Sequence, residues 1–257
     1  MRVSDVLDFF GYLRLWRPMP QGSDTPVTVY VSLTTIPSRM PRVDQCIQSL
    51  VEQTHPPAKI FLCVPQAYRR FGIVPPVPAN LSRFGTQLEV VRCIDDFGPG
   101  TKALGALERI PQEPGVLLVL VDDDMLYARH MLAAFAQAYR ESPDTSRSFY
   151  TYPYRGITIG QGQDGFALPA AHLSGMREFF EAIRDDPHLF LVDDLWISFF
   201  MRMKGAPAAR IQHHLRKRGP IYRIYNSFDR LDRIKGDFSQ RQCMARGREV
   251  LRQRFGV

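Results

Sequence analysis

The sequence predicts an α/β protein with a mostly parallel central sheet and helices on both faces. Three observations carry the prediction. Short apolar, β-branched runs alternate along the chain with stretches of helical periodicity. Those runs are apolar throughout rather than at every second residue, as in strands buried on both faces. The most apolar of them ends in three aspartates, at the carboxyl edge where sheets of this kind place their ligands.

Residues 1–20 come first. Within them Val6, Phe9, Phe10, Leu13 and Trp16 fall near helical spacing over Val3–Trp16, with Arg2, Arg14 and Arg17 around them, and Pro18 and Pro20 end the pattern. This helical segment either packs on the body or lies on a membrane surface. After the polar loop 21–26, Val27–Leu33 (VTVYVSL) is a strand, TTIPSR a loop and Val43–Gln53 a helix. Lys59–Val64, Gln87–Ile94 and Gly115–Val121 are the next buried strands, with helical stretches at Thr101–Arg109 and Ala128–Arg140. The Pro-containing run Gly72–Asn80 is a surface loop. In the second half, Ser148–Tyr154, Phe166–Pro169 and Ile221–Tyr225 are short strands, Leu173–Ile183 and Leu195–Lys204 are helical, and Gln240–Phe255 is a basic terminal helix. No repeat or low-complexity tract divides residues 21–257, so they form one domain.

Composition narrows the function classes. Of 257 residues, 45% are hydrophobic and 23% charged, enough for a sizeable core, and no apolar run approaches the roughly 20 residues of a membrane span. Lys and Arg number 33 against 26 Asp and Glu, a net charge of +7 that favours phosphate-rich partners or an acidic membrane face. The cysteines Cys46, Cys63, Cys93 and Cys243 lack zinc-site spacing and read as reduced core thiols. Asp5, Asp8 and Arg14 interrupt any signal-peptide pattern, so a cytoplasmic protein is expected.

Four clusters carry candidate chemistry. Asp122, Asp123 and Asp124 repel one another by about 1 kcal/mol per pair in water and more in a drier cleft, so a positive group should sit among them. A hard divalent cation is one such group. In an extended chain Asp122 and Asp124 project to one side and Asp123 to the other; a solvated turn before the next helix is the plainer alternative. Asp193 and Asp194 end the run FLV before a helical pattern, where either caps the helix or takes a proton from an acceptor hydroxyl. The run from Asp95 through Asp96 to Lys102 (DDFGPGTK) is either an ordinary helix-starting turn or an anion site. His213 and His214, among Arg210, Arg216, Lys217 and Arg218, are either metal ligands or solvated surface residues.

Taken in order, VSLTTIPSR, DFGPGTK, VDDD and VDDLWIS resemble the GT-A-fold glycosyltransferases, specifically the bacterial family-two-like enzymes that build surface polysaccharides. The resemblance covers about Val27 to Lys204. It implies a GT-A (Rossmann-like) domain whose residues 27–125 form the nucleotide-sugar half and 126–257 the acceptor half. By it, the triplet is a DxD motif: Asp124 binds Mn²⁺ or Mg²⁺ directly, with Asp122 nearer the ribose of a UDP-sugar and either His213 or His214 as a further ligand. Thr35 and Arg39 border the nucleoside, and Asp96, Lys102 and Asp123 are further donor contacts. The late pair is the base motif, with Asp194 preferred over Asp193, in an inverting transfer to a glycan or lipid-linked glycan. Gly165–Pro169 forms the wall between donor and acceptor, with Phe166 either a stacking surface or core, and Trp196 either lines the acceptor site or belongs to the core.

Two rival classes leave different marks. A sugar-phosphate nucleotidyltransferase should carry a Gly-rich phosphate loop after the first strand, and TTIPSR has no glycine. A non-enzymatic basic binding protein should gather its cations into a stripe with interleaved aromatics, which only Gln212–Arg223 and the terminal helix approach. No nucleic-acid partner is expected. Peripheral contact with the inner membrane face is compatible with the charge.

Overall fold

The structure, a computed structural model, describes residues 26–72, 76–211, 221–223 and 239–256. The expected helix Val3–Trp16 and the pair His213–His214 lie outside the described residues. Strand β1 (Thr28–Thr34) is followed by helix α1 (Val43–Val51), β2 (Lys59–Pro65), β3 (Leu88–Cys93), the short helix α2 (Thr101–Leu104) and β4 (Val116–Leu120). After β5 (Met125–Tyr127) come α3 (Met131–Glu141), β6 (Ser146–Ser148), β7 (Thr151–Tyr154), β8 (Ile157–Gly160), β9 (Phe166–Pro169) and α4 (Met176–Glu181). Helix α5 (Asp193–Met203), β10 (Ala208–Arg210), β11 (Ile221–Arg223) and α6 (Gln240–Phe255) complete the order.

Seven strands form the central sheet in the order β10-β6-β9-β4-β1-β2-β3. Neighbours β4, β1, β2 and β3 run parallel, and only β9 lies antiparallel to its two neighbours, β4 and β6. The side-chain alternation of β1 and β4 divides the core between the two faces. Val29, Val31, Leu33, Leu117 and Val119 pack with residues of α1 and α3, while Leu118 and Leu120 pack with residues of α4 and α5. The expected fold class and both helix layers are therefore present. All four cysteines are buried free thiols. Among the described residues no helix is long and apolar enough to cross a membrane.

Several boundaries differ for physical reasons. The expected helix Thr101–Arg109 is helical only to Leu104, continuing as a tighter turn at Leu107–Arg109. Gly105 lets this segment lie against the sheet: a Cβ there would come within 2.7 Å of Cys63 Sγ and 2.8 Å of Cys93 Sγ. The expected single strand Ser148–Tyr154 splits. Ser146–Ser148 enters the large sheet, whereas Thr151–Tyr154 pairs with β8 in a separate hairpin turned by Arg155 and Gly156, both at positive φ. Strands β5, β8 and β10 have three or four residues each, too few to show a period in the sequence.

Candidate active site

The carboxyl ends of β1 and β4 bring the Thr34–Arg39 loop against the aspartate triplet. Asp122–Asp124 is not extended; it turns between β4 and β5, which corrects the expectation that Asp122 and Asp124 share one strand face. The turn sets two cations among the three acids, Arg39 beside Asp123 and Asp124 and Lys102 beside Asp122. Asp123 is buried, accepting from Thr35 Oγ1 at 2.5 Å and from Arg39 Nη1 at 2.7 Å. Asp124 Oδ2 lies 3.4 Å from Arg39 Nη2, and Asp122 Oδ1 accepts from Lys102 Nζ at 2.7 Å. The counter-charge that the triplet demands is thus supplied in part by the chain itself. Burial pushes the Asp123 carboxyl up, and the Arg39 guanidinium and the Thr35 hydroxyl pull it back.

Lys102 is buried and has a second partner. Its Nζ sits 3.0 Å from Asp193 Oδ2, off the hydrogen-bonding direction, so one ammonium joins the two acidic motifs. Burial disfavours this charge, but Asp122, Asp193 and Asp194 together hold its pKa well above the usual lysine value. Both acids of the late pair lie in the first turn of α5, with Asp193 pointing at Lys102 and Asp194 toward the loop after β8. Asp194 Oδ1 accepts from the Gly162 N–H at 3.0 Å. Burial, and then the neighbouring Asp193 charge, raise the Asp194 carboxyl well above the ordinary range, with Lys102 opposing them.

Gly162 and Tyr127 touch the acidic motifs, and the sequence reading missed both. A Cβ on Gly162 would come within 2.7 Å of Lys102 Nζ and 3.3 Å of Asp122 Oδ1, so this backbone fills the space between the acidic motifs. The glycine-rich run Gly160–Gly165 is the signal that could have identified it. Tyr127 Oη accepts from the Asp122 N–H at 2.9 Å and lies 3.1 Å from Asp122 O and 3.2 Å from Gln163 O, tying the triplet to that run. The partners of both come only from the fold.

Other expected residues take structural places. Asp96 accepts the N–H groups of Arg69 and Gly98, both at 2.8 Å, and so shapes its own loop. Phe166 and Trp196 are wholly buried, which settles both on their core alternatives, and the residue that lies against the acids is Gly162. His213 and His214 lie outside the described residues.

A divalent ion fits this edge only as a part-site. The side chains of Asp122 and Asp124 are 34% and 21% exposed and offer hard oxygens, whereas Asp123 is spent on Arg39 and Thr35. Among the described residues no group of three or more His, Cys, Asp or Glu is placed to hold a metal ion. A magnesium-type ion held by one or two carboxylates completes its shell with water and substrate phosphate oxygens, and the donor set fits an ion of that kind.

No family model matches the chain, and no curated protein matches it in sequence. Among solved structures it is similar to S. aureus TarS, residues 1–349, in complex with UDP: 14% identity, 90% of this chain, 72% of that chain, TM-score 0.51. It is also similar to the mannosyltransferase PcManGT from Pyrobaculum calidifontis in complex with GDP-Man and Mn²⁺, at 18% identity over 84% of this chain, TM-score 0.49. A further similar structure is GalNAc-T7 with UDP, GalNAc and Mn²⁺, at 14% identity over 74% of this chain, TM-score 0.47. The chain spans 66% of the length of the mannosyltransferase and 43% of GalNAc-T7. At this identity the TarS match shows a shared fold, the GT-A type.

Proposed function

We propose that this chain is a metal-dependent glycosyltransferase that moves a sugar from a UDP-sugar to a hydroxyl of a glycan or glycolipid acceptor, with inversion and with Asp194 as general base. The observation that carries the proposal is the meeting of two acidic motifs, Asp122–Asp124 and Asp193–Asp194, around the single ammonium of Lys102 at the carboxyl edge of a GT-A fold. A structural helix cap would not require the partner strand's acids to converge on the same cation. The UDP bound by TarS supports the choice of nucleotide.

The chain's own groups divide the work. Asp194, its carboxyl raised by burial and by Asp193, is poised to take the acceptor proton, and the Gly162 N–H aims Oδ1. Asp193 is held by Lys102, so it serves as a positioning residue and not as the base. Lys102 places a fixed positive charge between the motifs, where negative charge grows on the leaving oxygen. Arg39 holds Asp123 and lies beside Asp124, setting the Thr34–Arg39 loop that would border the nucleoside. Mn²⁺ or Mg²⁺, held by Asp124 and Asp122, supplies Lewis-acid neutralisation of the diphosphate when bound. A cytoplasmic enzyme in peripheral contact with the inner membrane face belongs to the same proposal.

Thermal stabilisation by a panel of nucleoside diphosphates, with and without Mn²⁺, tests the donor assignment. UDP with Mn²⁺ should raise the melting temperature and ADP should not. No response to any nucleotide would overturn the proposal.

A further inference from the structure

A second charged feature lies away from the acids. Arg155 at the tip of the β7–β8 hairpin, Arg202 on α5, and Arg248 and Arg252 on α6 come together: the Arg248 guanidinium lies 5.5 Å from the ring centroid of Phe199 on α5, and burial, then the charges of Arg202, Arg252 and Arg155, hold it below the usual guanidinium value. Arg155, Arg202 and Arg252 are exposed, and among the described residues none of them has a carboxylate partner. Like charges held this close repel, and such a cluster is stable when an anion sits on it.

The backbone reinforces the point. Arg155 has φ of 44°, the single non-glycine residue at positive φ among the described residues, where Asn or Gly would sit without strain. Residues in this region persist where the surrounding structure holds them, and they cluster at functional sites. Arg202 Nη1 donates to Gly156 O, which fixes the hairpin tip on α5, and the Arg155 guanidinium lies 5.8 Å from the Tyr154 ring centroid.

The hairpin also connects the cluster to the candidate base. Strand β8 is bonded to α5 through Gly160 N–H and Ser198 Oγ at 3.0 Å, and just beyond it Gly162 N–H meets Asp194. On β7, Tyr152 lies near enough to Asp194 for that charge, after burial, to push its phenol up to about 12. From Asp194 to Arg202 the helix rises about 12 Å, and from Tyr152 to Arg155 the strand spans about 10 Å.

We propose that Arg155, Arg202, Arg248 and Arg252 bind a phosphate group carried by the acceptor, with Tyr152 and Tyr154 lining the way to Asp194. This rests on the glycosyltransferase proposal and narrows its acceptor to a phosphate-bearing one. Guanidinium forks pair phosphate oxygens two at a time, which suits a cluster of arginines better than one of lysines.

The test uses the full chain and the double variant Arg155→Asn with Arg252→Gln. Both positions are exposed, and Asn accepts the positive φ, so the variant should melt with the wild type. Inorganic pyrophosphate, titrated in EDTA, should bind the wild type and bind the variant about tenfold more weakly or worse, as expected for lost charge-assisted bonds. Equal affinity in both proteins, or no binding by the wild type, would overturn the proposal. Stabilisation by UDP with Mn²⁺ is read on the same samples and should not change. A chain that ignores UDP yet loses pyrophosphate in the variant keeps the arginine site and rejects the donor assignment. Co-sedimentation with phosphatidylglycerol vesicles, against phosphatidylcholine, then separates the sources. Retention that the variant loses assigns the phosphate to a bilayer surface, and pyrophosphate binding without retention assigns it to a soluble acceptor.

Discussion

Lys102 Nζ lies 2.7 Å from Asp122 Oδ1 and 3.0 Å from Asp193 Oδ2, and through these two contacts the strand-end triplet is linked to the acids that begin α5. Replacing it with Met would leave Asp122, Asp193 and Asp194 facing one another without a cation. Removing one partner of a buried ion pair costs about 3–5 kcal/mol. Lys102→Met should therefore lower stability by about that much in urea denaturation. A loss within the range of an exposed ion pair would show that Lys102 does not hold the motifs together.

The three acids of the triplet should separate by function. Asp123→Asn breaks the buried contact with Arg39 and should destabilise by about 3 kcal/mol or more. Asp124 is more exposed and lies farther from Arg39, so Asp124→Ala should cost about 1 kcal/mol or less while abolishing Mn²⁺-dependent stabilisation by UDP. Calorimetry of both variants with and without nucleotide reads the difference. The opposite ranking would remove Asp124 from the metal site.

The elevated Asp194 carboxyl has a pH signature. Its folded-state pKa lies above the unfolded one, so the stability it contributes is full below the ordinary carboxylate range and lost as pH rises through the elevated value. Asp194→Asn keeps an oxygen for the Gly162 N–H and removes this loss. The variant should match the wild type near pH 4 and melt higher at pH 7 and above. Its transfer rate should fall by about 10²- to 10⁴-fold while UDP stabilisation persists. Unchanged turnover would eliminate Asp194 as the base.

Gly98 begins the turn that delivers Lys102. It has φ of +59°, and a Cβ there would lie 2.5 Å from the backbone oxygen of Phe190. Gly98→Ala should cost about 2–4 kcal/mol through backbone strain and overpacking together. Since this turn carries Lys102, its displacement should reduce nucleotide affinity along with stability. Stability near wild type in chemical denaturation would contradict the tight approach of this turn to the 190 loop.

The long buried strands and the fold class were legible because burial on both faces requires uninterrupted apolar runs, and VTVYVSL, KIFLCV and GVLLVLV are such runs. The short strand Ile157–Gly160 was not, because four residues show no period; its place comes from pairing with β7 and bonding to α5. Tyr127 escaped notice because its hydroxyl bonds neighbouring backbone, which leaves no motif, and Gly162 because the glycine-rich run 160–165 does not by itself say what its backbone N–H meets.

Residue chemistry and strand-end position were determined by sequence alone: three acids after the most apolar strand, two more before a helix, and a need for positive charge among them. Which cation each acid received was decided only by tertiary structure. Arg39 reached Asp123, and Lys102 reached both Asp122 and Asp193. Coulomb interaction depends on distance and on the surrounding dielectric, and both are set by how strands and helices pack and not by separation along the chain.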